Sequence, residues 1–513
     1  MRLPIVNPIT RTKKQEGVFG GLDTRSSVQD GYFADMKNMS SDHYPAAGPR
    51  QARGEPIKTL EKPNGLYWKN GLAYVDGEKL YYKDQEKGTV ADSKKVMVGM
   101  GAYIIIFPDK VYLNTDSGEF GSMEKSFIQA SAATFAPSYT GSTYTKISCT
   151  GIGKQFNQYD GVEISGCTNA DYNKTATIQA KTDDSITIIG VLENSFTQAS
   201  GLKIKRKVPD MDFLTECENR LWGCSSKNHE VYASKLGDPL NWNVFEGIST
   251  DSYAATIGSD GDFTAAATYS GYALFFKEHT IHKVYGNKPS NIQIQTQEAP
   301  GVKSGCSASV QVVGTTLIYL SGTGVHGYTG GVPFTLSDVL EKLALSDGIA
   351  GKYQGKYYLS AETGKGKQLL VYDTAKRLWH KEDDTQMLLT APGGGQLYYV
   401  DQDKNVRTIT GGDELVEWYL ETGDLEEGSL NRKYIGKIQF MIELERGSQV
   451  DVFLKHDSDA AFRRMITIFA DKKRTYSIPI KPMRCFYYRW RLEGKGKARL
   501  IAVGKYINEG SEI

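Results

Sequence analysis

The strongest constraint in this sequence is the recurrence of short apolar strands joined by tight polar or glycine-bearing turns. Residues 267–338 show it best. Tyr272-Ala-Leu-Phe-Phe276 and Thr280-Ile-His-Lys-Val-Tyr285 flank Lys277-Glu-His279, and Thr316-Leu-Ile-Tyr-Leu320 and Gly324-Val-His-Gly-Tyr328 flank Ser321-Gly-Thr323. An apolar strand, a tight turn, a more alternating strand and a Gly-rich exit define a unit. Units of this kind at repeated spacing predict stacked β-modules.

The same unit recurs along the chain. Leu66-Tyr-Trp68 and Leu72-Ala-Tyr-Val75 bracket a Lys-Asn-Gly turn, and Ala102–Phe107 with Lys110–Leu113 brackets Pro108-Asp109. Later units contain Arg220-Leu-Trp222, Lys356–Ser360, Gln368–Asp373 and Gln396–Val400. Several short strands per unit suit a β-propeller, which leaves only short protected edges. The expected fold is all-β: a propeller of about six or seven blades, a small inserted β-domain and a C-terminal β-sandwich. The boundaries are 1–55 for an extended N-terminal arm, 56–126 and 208–412 for the propeller, 127–207 for the insertion and 413–513 for the sandwich. The insertion is marked by more Ser, Thr, Ala and Asn and fewer aromatics. The sandwich is marked by longer alternating strands such as Gln449–Leu454. One helix of about two turns is expected over Leu336–Ala344, with Ser337 as its cap.

A length of 513 residues implies several domains, and 54 Gly with 31 Tyr favours turns and half-buried strands. The six cysteines form no CxxC pair and read as buried apolar residues of a reducing compartment. The N-terminus lacks the apolar run of a signal peptide, and no stretch is long and apolar enough for a membrane helix.

Catalytic and metal signatures are sparse. His279 and His282 are three apart on or beside a strand, which points them to opposite faces. Asp251–Asp262 lacks the calcium-loop pattern and reads as a polar turn. No Gly-x-Ser-x-Gly elbow or phosphate loop is present. The expectation is therefore no catalytic residue, no cofactor, no metal and no enzyme.

Charge is more informative. Arg463 to Lys505 holds thirteen Lys/Arg and two Asp/Glu, while Asp413–Gly428 holds seven Asp/Glu and no Lys/Arg. Three readings follow: neutralisation within the sandwich, a charge match between subunits, or a basic face toward DNA phosphates. The candidate basic surface comprises Arg463, Arg464, Lys472, Lys473, Arg474, Arg489 and Arg491.

Several motifs in order carry a resemblance. They are Phe19-Gly-Gly-Leu-Asp-Thr-Arg25 with Met36-Lys-Asn-Met39 and Gly48-Pro-Arg50; Val231-Tyr-Ala-Ser-Lys-Leu-Gly-Asp-Pro-Leu-Asn-Trp242; and Leu274–Gly286 followed by Gly305-Cys-Ser-Ala-Ser309 and Ile318–Val325. Asn431-Arg-Lys-Tyr434 and Ile478–Cys485 join them. Together they resemble the β-propeller tail proteins of bacteriophages, the nozzle or hub proteins of short-tailed phages and their relatives. The resemblance spans most of the chain except the insertion. It implies a structural virion protein, assembled in the bacterial cytoplasm into a ring, commonly a hexamer, below the portal and adaptor. Such a ring is a conduit for DNA retention and ejection, and its partners are the portal–adaptor, other tail proteins, fibres or a tip, and passing double-stranded DNA. The rival reading is a host-receptor or carbohydrate-binding propeller adhesin of the tail.

Overall fold

The computed structural model describes residues 10–469, 472–480 and 483–509. Among them there is no α-helix, and six short 3-10 turns interrupt an otherwise all-β chain. No helix is long and apolar enough to cross a membrane.

Seven four-stranded antiparallel meanders dominate the described residues. Their first strands are Pro63–Trp68, Val96–Met100, Phe213–Cys217, Ala265–Tyr269, Gln311–Val313, Ser346–Tyr353 and Leu389–Gly393. The second strands are the most deeply buried, as in Tyr103–Phe107, Arg220–Ser225 and Thr316–Ser321. A strand covered on both faces by neighbouring sheets reads as a continuous apolar run, whereas its half-covered neighbours alternate. That is the physical origin of the repeated unit in the sequence.

The first strands of neighbouring sheets are knitted together. The Gly99 N–H donates to Tyr67 Oη at 2.9 Å, and Thr215 Oγ1 lies 2.8 Å from Thr268 Oγ1. Gln311 Nε2 and Thr390 Oγ1 both donate to the Ala350 carbonyl, at 3.0 and 2.7 Å. The last sheet meets the first where Trp68 stacks on Tyr398, with centroids 5.0 Å apart and planes 8° from parallel. The fourth strand of the last sheet comes from the other end of the module run: Lys58–Thr59 pairs with Asn405 and Val406. This is a β-propeller fastened by its own N-terminal strand.

Between the second and third meanders lies an eight-stranded sheet, from Lys125–Ile128 to Lys203–Arg206 in sequence. It has its own core of Phe135, Ile147, Ile178 and Ile204, among others.

The C-terminal region packs two five-stranded sheets face to face. One contains Lys433–Leu444 and Ala498–Glu509, the other Tyr488–Lys495 and Gln449–His456. Phe440 meets Trp490 edge-on across the core at 5.3 Å. The N-terminal arm belongs to this unit. Thr10–Glu16 pairs with Ala498–Glu509, and Asp35–Lys37 pairs with Glu417–Glu421. Phe19, Leu22, Phe33, Met36 and Met39 share one buried core with the sandwich and with Leu320, Tyr372 and Trp379 of the propeller.

The helix expected over Leu336–Ala344 is corrected to a single 3-10 turn, Asp338–Leu340. Leu336, Val339, Leu340 and Leu343 pack on the common core, so their helix-like spacing serves a loop clamp. Lys481 and Pro482 of the Ile478–Cys485 motif, and the first nine residues of the arm, lie outside the described residues.

Candidate functional site

The family-like motifs converge on clamps between units. The buried Asp23 is held within the arm by Arg25, with Nη2 at 2.6 Å and Nε at 3.0 Å, and next to it the Thr24 N–H donates to the Val339 carbonyl of the propeller at 2.7 Å. In Val231–Trp242, the Asn241 side chain accepts from the Gly161 N–H at 3.1 Å and donates to Asp160 Oδ1 at 3.3 Å. Asp160 in turn holds Arg206 Nη1 at 2.9 and 3.0 Å, and Arg206 Nε donates to the Met123 carbonyl. This fully buried pair ties the insertion to its two junctions with the propeller. The polar turn expected over Asp251–Asp262 is corrected: it contains the strand Tyr253–Thr256, paired with Glu230–Ala233, and Asp251 Oδ2 before it accepts from the N–H groups of Glu246, Gly247 and Ile248.

A second clamp joins arm and propeller. Arg50 Nη2 and Arg53 Nη2 lie 3.0 and 2.9 Å from Asp383 Oδ2, and Arg53 Nη2 lies 2.9 Å from Glu382 Oε2. Burial alone would push the Asp383 carboxyl up, but the two guanidinium groups outweigh it and hold it at about 2. The neighbouring His380 is driven down to about 3, by burial first and by the Lys356 charge second, so its imidazole is neutral.

The seven candidate basic residues do not form one surface. Arg489 and Arg491 lie on the strand beside Glu417–Glu421. Arg489 Nε bonds Asp424 at 2.6 Å, and Arg491 Nη1 lies 3.4 Å from Glu421 and its Nη2 2.7 Å from Glu493. They therefore neutralise the acidic segment from within. Arg463 and Arg464 stand on the opposite edge strand with side chains 62% and 64% exposed. Arg463 pairs with Asp459, and Arg464 lies 3.9 Å from Asp451. Lys472, Lys473 and Arg474 are exposed, and Arg474 opens the edge strand Arg474–Pro479 of the other sheet.

Two clefts flank the clamps. One, of about 640 Å³, lies between insertion and propeller and is lined by Lys110, Glu124, Glu163, Lys205 and Asp210 among others. The other, of about 510 Å³, is walled by the arm, the last sheet and the start of the sandwich, including Arg53, Asp384, Asp403, Glu414 and Leu415.

His282 is a buried structural residue. Its Nε2 lies 3.0 Å from Ser259 Oγ and its Nδ1 2.9 Å from Thr296 Oγ1, while His279 sits exposed in the turn. All six cysteines are buried free thiols, and burial pushes Cys217 and Cys485 up to about 11.

Sequence reasoning did not find Asp160–Arg206 or Arg53–Asp383, because partners 46 and 330 residues apart leave no local signature. The one available signal was phase: Arg206 ends the alternating strand Lys203–Arg206 on the same buried face as Leu202 and Ile204.

No family model and no curated protein matches the chain. Among solved structures, a computationally designed protein is similar at 12% identity and a TM-score of 0.35, over 70% of this chain and 100% of its own. An exo-β-1,3-galactanase from Phanerochaete chrysosporium is similar at 9% identity and a TM-score of 0.22, over 57% of this chain and 94% of its own. A bifunctional GH43-CE protein of Bacteroides eggerthii is similar at 10% identity and a TM-score of 0.22, over 60% and 63%. These neighbours correct one expectation. Glycoside hydrolases stand among them, so the statement that the chain is not an enzyme is withdrawn. Likeness at these TM-scores assigns no reaction to it.

Proposed function

We propose that this protein is a structural subunit of a bacteriophage tail, a nozzle or hub that assembles as a ring below the portal and adaptor and conducts DNA. In this reading the seven meanders are seven blades. Residues 56–126 and 208–412 build the propeller, 127–207 form a peripheral module, and 413–513 with the arm form the ring-facing sandwich. The observation that carries the reading is the ordered set of tail-protein motifs. Those in the arm and at Val231–Trp242 fall on contacts between units, as Thr24–Val339, Arg50–Asp383 and Asn241–Asp160 do. A load-bearing conduit needs such rigidity. Passing DNA would be met only at phosphates, without base readout.

Electron microscopy of the purified chain and of virions tests the reading. Rings on the portal axis support it. Monomers at the tail periphery that bind glycans on an array favour the adhesin instead.

A further inference from the structure

The second sheet of the sandwich runs in the order Asp35–Lys37, Glu417–Glu421, Tyr488–Lys495, Gln449–His456, Arg463–Phe469. Its two flanks carry opposite charge. Beside the Glu417 flank is the 510 Å³ cleft. There Asp383 is held by Arg50 and Arg53, Asp401 by Arg407, and Glu417 by Lys495. Asp384, Asp403 and Glu414 are exposed and have no ion-pair partner among the described residues, and Leu415 beside them is 52% exposed. In the cleft wall the Arg53 side chain is only 10% exposed, yet its Nε and Nη1 have no acceptor among the described residues.

The far flank is the reverse. Its edge strand Arg463–Phe469 presents Arg463 and Arg464 at one end and Phe469, 71% exposed, at the other; the exposed Lys472 and Lys473 precede Arg474, the first residue of the other sheet's edge strand Arg474–Pro479. Register places Phe469 at the Glu417 end of the sheet, whereas Arg463 and Arg464, paired with Leu454 and Phe453, lie at the other end. Glu417 pairs with Lys495, Lys495 with Gln449, and Gln449 with Phe469. Three inter-strand steps separate them, roughly 14 Å at ~4.8 Å per step. Lying on opposite flanks of one rigid sheet, they cannot meet within a chain.

We propose that the basic patch Lys472–Arg474 of one copy, with Phe469, docks head to tail into the acidic cleft of a second copy. The cations meet Asp384, Asp403 and Glu414, and Phe469 meets Leu415. A head-to-tail contact is heterologous, so its rotation closes a ring or propagates a filament. Charge complementarity of this kind fixes register and partner. The inference rests on the tail-ring reading for the closed form.

The test is the oligomeric state of the full chain by analytical ultracentrifugation, with folding checked by circular dichroism. Three proteins are compared with wild type: K472E/K473E/R474E, D384K/D403K/E414K, and the two sets combined. Wild type is expected to assemble, each single set to weaken assembly at least tenfold, and the combined set to restore it. Single sets that assemble like wild type, or a combined set that restores nothing, overturn the docking and leave the ring reading standing. A wild type that is monomeric at every concentration overturns both. Salt gives a check free of substitutions: assembly unchanged between about 0.05 and about 1 M salt overturns the docking, because exposed charge pairs are screened over that range.

Discussion

Lys505 Nζ lies 2.9 Å from Glu427 Oε1, with side chains 1% and 3% exposed. The arm supplies the other members of this cluster: Lys14 Nζ is 3.2 Å from Glu427 Oε2, and Asp30 pairs with Lys505. Tyr488 Oη donates to Glu427 at 2.6 Å. The arm is thus locked to the sandwich by a shared buried carboxylate as well as by backbone pairing.

Glu427→Gln should release the arm. Breaking a buried pair costs about 3–5 kcal/mol, and the remaining Asp30 countercharge places the loss near about 3 kcal/mol. Burial pushes the Glu427 carboxyl up, but Lys505, Tyr488 and Lys14 prevail and its pKa is lowered below 4.5. Its contribution is therefore complete above about pH 4.5 and is lost as pH falls through the depressed folded value. Trypsin cleavage at Lys13 and Lys14 at pH 7 reports the release in the variant, and hydrogen exchange of residues 10–16 follows it against pH. Equal cleavage of wild type and variant at pH 7 would refute the lock.

The contact between the first and last sheets predicts non-additive stability. A Cβ at Gly393 would overlap the Trp68 ring, which stacks on Tyr398. Gly393→Ala should cost about 1–3 kcal/mol by overpacking, and Trp68→Ala about 3 kcal/mol by lost packing. In the double variant the removed indole makes room for the methyl, so the two costs should fall short of their sum by about 1 kcal/mol or more. Urea denaturation of the four proteins measures this coupling. Strict additivity means that the first and last sheets do not meet as described.

Two buried histidines predict a specific acid profile. Burial and then the Lys277 charge hold His282 at about 4, and His380 sits at about 3. Both values lie below the ordinary 6.5, so the unfolded chain takes up these protons first. Stability is complete above pH 6.5 and falls toward pH 4 by up to about 1.4 kcal/mol per pH unit for each group. His282→Gln should flatten the slope between pH 6 and about 4 by about one proton. A slope unchanged by the substitution would mean that His282 is protonated in the folded chain.

The propeller was legible because its second strands are buried on both faces and so advertise themselves as apolar runs such as Leu274–Phe276. The fastening strand was not. Lys58–Thr59 is two residues long, polar, and defined only by its backbone bonds to Asn405 and Val406. The arm strand Thr10–Glu16 has the sequence TRTKKQE, an edge whose pairing is again carried by the backbone. Charge counting found the right segments but could not divide them. Arg489 and Arg491 point at Asp424 and Glu421 because strand order brings them together, whereas Arg463 and Arg464 share their composition and lie on the outer edge. Strand order is set by long-range pairing, which no local window contains.

The insertion is held by the Arg206–Asp160 pair, 2% exposed on both sides, and this yields the last prediction. Asp160→Asn leaves a buried guanidinium without its countercharge and should cost about 3–5 kcal/mol. The loss should be local, because the insertion has a core of its own, separate from the propeller cores. The expected outcome is faster proteolysis near Glu124 and Lys207, with the propeller fragment intact. Removing both charges as Asp160→Asn with Arg206→Met takes away the uncompensated cation and should recover part of the loss. Hydrogen exchange of strands 125–128 and 203–206 against strands 220–225 separates local from global opening. Uniform loss of protection across all three would show instead that insertion and propeller unfold as one cooperative unit.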